Sequence, residues 1–79
     1  MAGHHFAVQN ELPPVGRYRV RVLKDSRKPV EQRRSLDIRE FVNGDVFEGF
    51  TRRGIRLTTK EQVELMRDAL NEALVHWDD

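Results

Sequence analysis

Leu36-Asp37-Ile38-Arg39-Glu40-Phe41, taken with the downstream Arg52-Arg53-Gly54-Ile55-Arg56-Leu57, decides how this chain folds. The first stretch alternates apolar and polar residues, and a period of two marks a strand with one covered and one open face. Over Ser35 to Val42, the residues Leu36, Ile38 and Val42 fall on one side with Glu40 intruding, while Asp37, Arg39 and Phe41 fall on the other. The second stretch is a basic return strand: Ile55 and Leu57 point inward, Arg56 outward, and Gly54 permits a turn or a close backbone approach. An exposed aromatic beside an exposed arginine suits single-stranded nucleic acid, because a ring stacks on a base and a guanidinium takes a phosphate.

Working outward, Arg17-Tyr18-Arg19-Val20-Arg21-Val22 repeats the alternation without a break. Tyr18, Val20 and Val22 face the core, and Arg17, Arg19 and Arg21 stand in a row outside. Three like charges at alternate positions repel one another, and an anionic ligand would relieve them. Between this strand and the next, Lys24 to Arg34 carries Lys24, Arg27, Lys28, Arg33 and Arg34 against two acids, and contains Pro29. It is longer than the roughly 2–5 residues of a common hairpin loop. Folding over a phosphate backbone and plain mobility are both open for it. Asn43-Gly44 signals a second hairpin, since both residues tolerate positive φ. Asp45 to Phe50 then reads as a third strand. Phe47 and Phe50 are candidate stacking platforms there, on opposite faces unless Gly49 marks a bulge. Residues 1–15 show no period, contain Pro13-Pro14, and read as a flexible arm. His4-His5 has no third ligand near it in sequence, so no metal site is expected.

Thr58 and Thr59 open a helix. Thr58-Thr59-Lys60-Glu61 and Thr59-Lys60-Glu61-Gln62 both fit a capping box, which fixes the start to within one residue. Val63, Met66, Leu70, Ala73, Leu74 and Trp77 recur at helical spacing as one apolar stripe, widened by Leu65 and Ala69. Such a stripe is core first, and here it reads as a lid on the sheet. Its width makes Leu65, Met66, Ala69, Leu70, Ala73 and Trp77 a candidate dimer seam. Glu61, Glu64, Asp68 and Glu72 leave the outer face acidic and unsuited to nucleic acid. The reading is an α+β fold: a four-stranded antiparallel sheet followed by one C-terminal helix, with residues 16–79 forming a single nucleic-acid-binding domain.

Bulk properties agree with that size of fold. With 79 residues, 38% of them hydrophobic and 34% charged, the chain makes one domain with a thin core, and a second copy is an economical way to cover what remains. No cysteine is present, so neither a disulfide nor a thiolate metal site supports it. No apolar run approaches the roughly 20 residues that span a bilayer, and no signal-peptide pattern opens the chain. A soluble intracellular protein is expected: cytoplasmic, nucleoid-associated in a bacterium, or nuclear in a eukaryote. The net charge of +1 hides a division: residues 12–60 hold thirteen Lys/Arg against six Asp/Glu, whereas residues 61–79 hold Arg67 against six acids. A basic sheet and an acidic helix favour a polyanion on one side only. No nucleophile-base-acid set is evident and no cofactor is implied, so enzymatic activity is not expected. A protein-interaction module and an RNA binder of the same fold remain alternatives.

The strand Leu36-Asp37-Ile38-Arg39-Glu40-Phe41, the turn at Gly44-Asp45, the strand Arg52-Arg53-Gly54-Ile55-Arg56-Leu57 and the Thr-capped helix together resemble the transcriptional positive cofactor four family. That family is a single-stranded DNA-binding transcriptional coactivator core, and the likeness covers about residues 17–75. The resemblance implies a homodimer formed through the helix and strand ends, whose β-ribbons grip single-stranded or melted DNA in transcription or DNA maintenance. Carried over by position, Arg39 and Phe41 match the second-strand motif, and Arg52, Arg53 and Gly54 match the basic return strand. Arg17, Arg19, Arg21, Lys24 and Lys28 correspond to the basic first hairpin only loosely, and Arg56 and Phe47 join the set from the pattern of residues. Where the family often has a tryptophan after the strand aromatic, this chain has Val42, so stacking passes to Phe41, Phe47 or Phe50.

Overall fold

A computed structural model describes residues 6–78; His4 and His5 lie outside them. The chain runs β1 (Phe6–Val15), β2 (Tyr18–Asp25), a 3-10 turn (Val30–Gln32), β3 (Arg34–Asn43), β4 (Glu48–Leu57) and α1 (Lys60–Val75). The strands form one antiparallel sheet in the order β1-β2-β3-β4, so each pairs with its neighbour in sequence. One C-terminal helix follows, as the residue pattern predicts.

Two strands differ from the sequence reading. Residues 6–15 are not an arm but the edge strand β1, paired with β2 from Phe6–Asp25 to Val15–Tyr18. Every residue of β1 is exposed, so no buried face imposes alternation on it. Pro13 and Pro14 have no N–H to donate, which an edge strand tolerates, and the register breaks between Leu12 and Val15. Second, the two strands expected over 45–57 are one. β4 is continuous because it bulges: the pair Arg39–Gly54 is followed by Phe41–Phe50, leaving Thr51 to Arg53 opposite Glu40 alone.

Glycines set two of these features. Gly16, at φ 60°, makes the tight β1–β2 turn. Gly54, at φ 148°, lies so close to β3 that an added Cβ would collide with the Ile38 carbonyl oxygen and come within 2.8 Å of the Arg39 Cα. Its close approach is therefore to its own sheet. At the β3–β4 connection positive φ is found at neither Asn43 nor Gly44. A longer loop, Gly44 to Phe47, closes there through the Gly44 N–H donating to the Phe47 carbonyl at 2.9 Å.

Strand pairing sorts the side chains into two faces. Tyr18, Val20, Val22, Leu36, Ile38, Ile55 and Leu57 share the apolar one, and Arg19, Arg21, Asp37, Arg39, Phe41, Phe50 and Arg56 share the other. Burial is sparse. Among the described residues Leu23 is the one buried hydrophobic side chain, at 4% exposure, and the remaining buried groups are Asp25, Asp37 and Glu40. Helix α1 starts in the second capping frame: the Thr59 hydroxyl accepts from the Gln62 N–H at 3.1 Å, and the Gln62 side-chain oxygen accepts from the Thr58 N–H at 2.9 Å. The helix packs mainly on β4, and only Val63 and Met66 are half-buried. It is not the full lid that its stripe suggests. A groove of about 350 Å³ separates its first turn from Val22, Leu36 and Leu57, and Leu65, Leu70, Leu74 and Trp77 are exposed, Trp77 at 76%.

Candidate nucleic-acid interface

The basic face is built around a carboxylate. β2, β3 and β4 bring Arg21, Asp37 and Arg56 directly opposite one another, because Asp37 pairs with Arg21 on one side and Arg56 on the other. Asp37 has no exposed surface. Arg21 Nη2 donates to its Oδ2 at 3.1 Å; Arg39 Nη2 at 3.1 Å, and Arg56 Nε and Nη2 each at 3.3 Å, donate to its Oδ1. Arg39 Nη1 also donates to the Arg52 carbonyl at 2.9 Å, which ties the hub to the bulge in β4. Burial alone would push the Asp37 carboxyl up. The hydrogen bonds from Arg21 and Arg39 and the charges of Arg39 and Arg56 outweigh burial, so the group titrates below its ordinary value. A carboxylate held ionised under three guanidiniums orders them without cancelling the positive charge of the face.

Aromatic rings underlie the same row. The Arg19 guanidinium carbon is 3.8 Å from the centroid of the Phe41 ring, and that of Arg21 is 4.0 Å from Phe50. Phe41 and Phe50 meet edge to face at 5.0 Å, as their cross-strand pairing requires. At the far end, Arg56 lies over Phe6 at 5.0 Å, with Arg27 on the same ring at 5.7 Å. These distances are within the range of cation–π attraction.

The remaining basic residues divide. Arg52 lies on the hub side by strand alternation, while Arg53 sits close enough to Glu40 for its charge to act there, on the apolar side. Arg17 occupies the β1–β2 turn rather than the row, with Nη1 3.4 Å from Glu40 Oε2. Lys24, by alternation with Val20 and Val22, belongs to the apolar face. Lys28 lines a small cleft with Phe6, Arg33, Arg34 and Arg56 at the end of the basic face. Phe47 stands in the β3–β4 loop, half-exposed, its ring 3.2 Å from where a Gly49 Cβ would be. Of the nucleic-acid residues read from sequence, Arg19, Arg21, Arg39, Phe41 and Arg56 are thus brought together, with Arg52 and Gly54 beside them. Arg17, Lys24, Phe47 and Arg53 are not.

Two buried acids stabilise the edges of the site. Arg27 donates to Asp25 from its backbone N–H at 3.0 Å, from Nε at 3.1 Å and from Nη2 at 3.0 Å. Those bonds take Asp25 from 3.8 down to about 2, against the opposing effect of burial. This clamp, and the 3-10 turn beyond it, gives the Lys24–Arg34 connection an ordered fold. Glu40, which intrudes on the apolar face as its position implies, accepts from the Thr51 hydroxyl at 2.8 Å. That bond, against burial and with help from Arg17 and Arg53, lowers its carboxyl.

Sequence reasoning missed Asp37 as the hub, Arg27 as the partner of Asp25, and Phe6 as part of the face. The signal for Asp37 was present: it is the acid that alternates with Arg39 in one strand and faces the arginine rows of its two neighbours. Finding it required the register. Among the described residues no group of three or more His, Cys, Asp or Glu side chains is placed to hold a metal ion. Comparison with family models, curated proteins and solved structures returns no match for this chain.

Proposed function

We propose that this protein binds single-stranded nucleic acid, DNA in the first instance, through the β2–β4 face, with no strong sequence preference and no catalytic step. The observation that carries the reading is the arrangement of Arg19, Arg21, Arg39 and Arg56 on one sheet face, three of them (Arg19, Arg21 and Arg56) over phenyl rings, with the acid that Arg21, Arg39 and Arg56 share, Asp37, sealed underneath. Guanidiniums held at a surface neutralise phosphates and release counterions, and flat groups between them suit unpaired bases. Base-edge readout is not needed for either. The likeness of the two strand motifs to the positive cofactor four family supports the same ligand, and supports a role as a transcriptional coactivator or DNA-maintenance factor in the cytoplasm, nucleoid or nucleus.

The working unit in this proposal is a homodimer. The apolar sheet face points away from the arginine row, and Leu65, Leu70 and Leu74 of α1 and Trp77 just beyond its C-cap are exposed, so a second copy can cover them and leave the basic face open. Met66, Ala69 and Ala73 lie within the same helical stripe.

Fluorescence anisotropy tests the reading. A labelled strand of about 20 nucleotides is titrated single-stranded and as duplex, at low and moderate salt. Preference for the single strand, weakening steeply with salt, is the expected result. Equal or absent binding of both forms refutes it, and a protein partner would then be sought on the charged faces.

A further inference from the structure

We infer that the surface receiving an unpaired base is the guanidinium plane of Arg19, backed by Phe41, and not a phenyl ring. This rests on the proposed binding of single strands and names the contact within it. Phe41 is the exposed-strand aromatic that the motif offers as a platform, yet one side of its ring is occupied by Arg19 at 3.8 Å and Phe50 meets it edge to face at 5.0 Å. Phe50, although 37% exposed, carries Arg21 over its ring in the same way at 4.0 Å. A base stacking on the ring face that either cation occupies must first displace a cation that the ring attracts. Stacking on the cation displaces nothing.

Arg19 and Arg21 are not equivalent in this layer. Arg21 is bonded to Asp37, and its side chain is 17% exposed, so its plane is committed to the hub. Arg19 is exposed, and among the described residues no carboxylate is hydrogen-bonded to it. Its cross-strand partner is Arg39, whose Nη groups are turned to Asp37 and the Arg52 carbonyl. Arg19 therefore keeps a planar, permanently charged group at the surface with its in-plane donors unspent. A guanidinium of that kind stacks on a base with its face and donates to phosphate with its edge. Phe41 is then a positioning residue: it fixes the tilt of the plane.

The test compares a thymidine strand of about 20 nucleotides with an abasic strand of equal length and charge, for the wild-type protein, Arg19→Lys and Phe41→Leu. Wild type should bind the thymidine strand at least roughly tenfold more tightly, since one stacked base contributes about that factor. Arg19→Lys keeps the charge and loses the plane, so the ratio should collapse toward one while the salt slope on the abasic strand stays the same. Phe41→Leu should lower the ratio less, because the plane remains but is looser. If Arg19→Lys leaves the ratio unchanged or raises it, the ring uncovered beneath is the platform and the inference is wrong. A wild-type ratio of one also overturns it, while binding of both strands leaves the proposed function standing. Failure to bind either strand removes both.

Discussion

Replacing Asp37 by asparagine separates two opposite expectations for the basic face. Counting charge alone, the variant gains one positive unit and should bind a polyanion more tightly. The geometry argues the reverse. Asp37 accepts four hydrogen bonds from three arginines at 3.1–3.3 Å. Asparagine fills the same space, but its amide carries no charge and points donors at guanidiniums that need an acceptor. Breaking a fully buried ion pair from one side costs about 3–5 kcal/mol. Here the partners can partly re-solvate, since the Arg21, Arg39 and Arg56 side chains are 17%, 20% and 38% exposed. A loss of about 2–3 kcal/mol is therefore expected, which for a domain of this size lowers Tm by roughly 10–20 °C. Thermal unfolding followed by circular dichroism measures it. Below the new Tm, anisotropy titration of a single strand should show weaker binding despite the added charge, because the guanidiniums no longer hold one arrangement. Wild-type stability together with tighter binding would show that Asp37 is a passive neighbour, and that charge density alone governs the face.

Acid should unfold the protein by a traceable route. Asp25, Asp37 and Glu40 all have folded-state values below their ordinary ones, so the unfolded chain binds more protons and the stability they contribute is present above about pH 4–4.5. It is lost as pH falls from there toward the folded value of about 2 for Asp25; a Tm that stays flat from pH 5 to about 2.5 would contradict these assignments. Gly54→Ala should destabilise by more than about 1 kcal/mol, where at an unstrained site the same change stabilises by about 0.4–1 kcal/mol, because φ is positive and the new Cβ meets β3 backbone, which cannot swing aside; a chemical-denaturation midpoint equal to wild type would refute the bulge geometry. Leu70→Lys should convert a dimer to monomer in sedimentation at micromolar concentration, as Leu70 is exposed in one copy and belongs to the proposed seam; an unchanged sedimentation coefficient would move the seam elsewhere.

How much of this was legible in the sequence depended on whether the information was local. The alternation over 35–42 and 17–22 yields β3 and the first part of β2, and the Thr59–Gln62 box starts α1 where the pattern puts it. β1 was not legible, because a strand exposed along its whole length carries no period and Pro13-Pro14 argues against one. The unity of β4 was hidden for a related reason: the bulge at Thr51 to Arg53 shifts which residues oppose β3, and local pattern alone reads that as a break. In the site, residue types were legible and partners were not. Arg19, Arg39 and Phe41 could be assigned to one face from parity, but which ring lies under which arginine, and which acid sits at the centre, follow from cross-strand register. Arg17 and Arg53 share the composition of the row without sharing its geometry, since one is in a turn and the other in the bulge.

In the proposed dimer, the interior of one copy explains why the binding face and the association face are different surfaces. Leu23 is the one apolar side chain buried among the described residues, and the other buried side chains are three carboxylates. Each carboxylate is matched by arginine or hydroxyl donors, so they order the fold, but they do not supply the apolar burial on which stability chiefly rests. That burial is available only on the opposite face, where Val20, Val22, Leu36 and Ile38 are half-covered and Tyr18 and Ile55 are exposed, and on Leu65, Leu70 and Leu74 of α1 and Trp77 beyond it. A polyanion cannot cover those groups favourably, and a second copy can. The arginine row has the converse character: like charges on both partners would oppose association through it. On the proposed function the two surfaces therefore divide: the apolar face would take a second copy, and the arginine face phosphate and base. The acidic outer side of α1 fits the same proposal, because Glu61, Glu64, Asp68 and Glu72 would repel a polyanion from the helix.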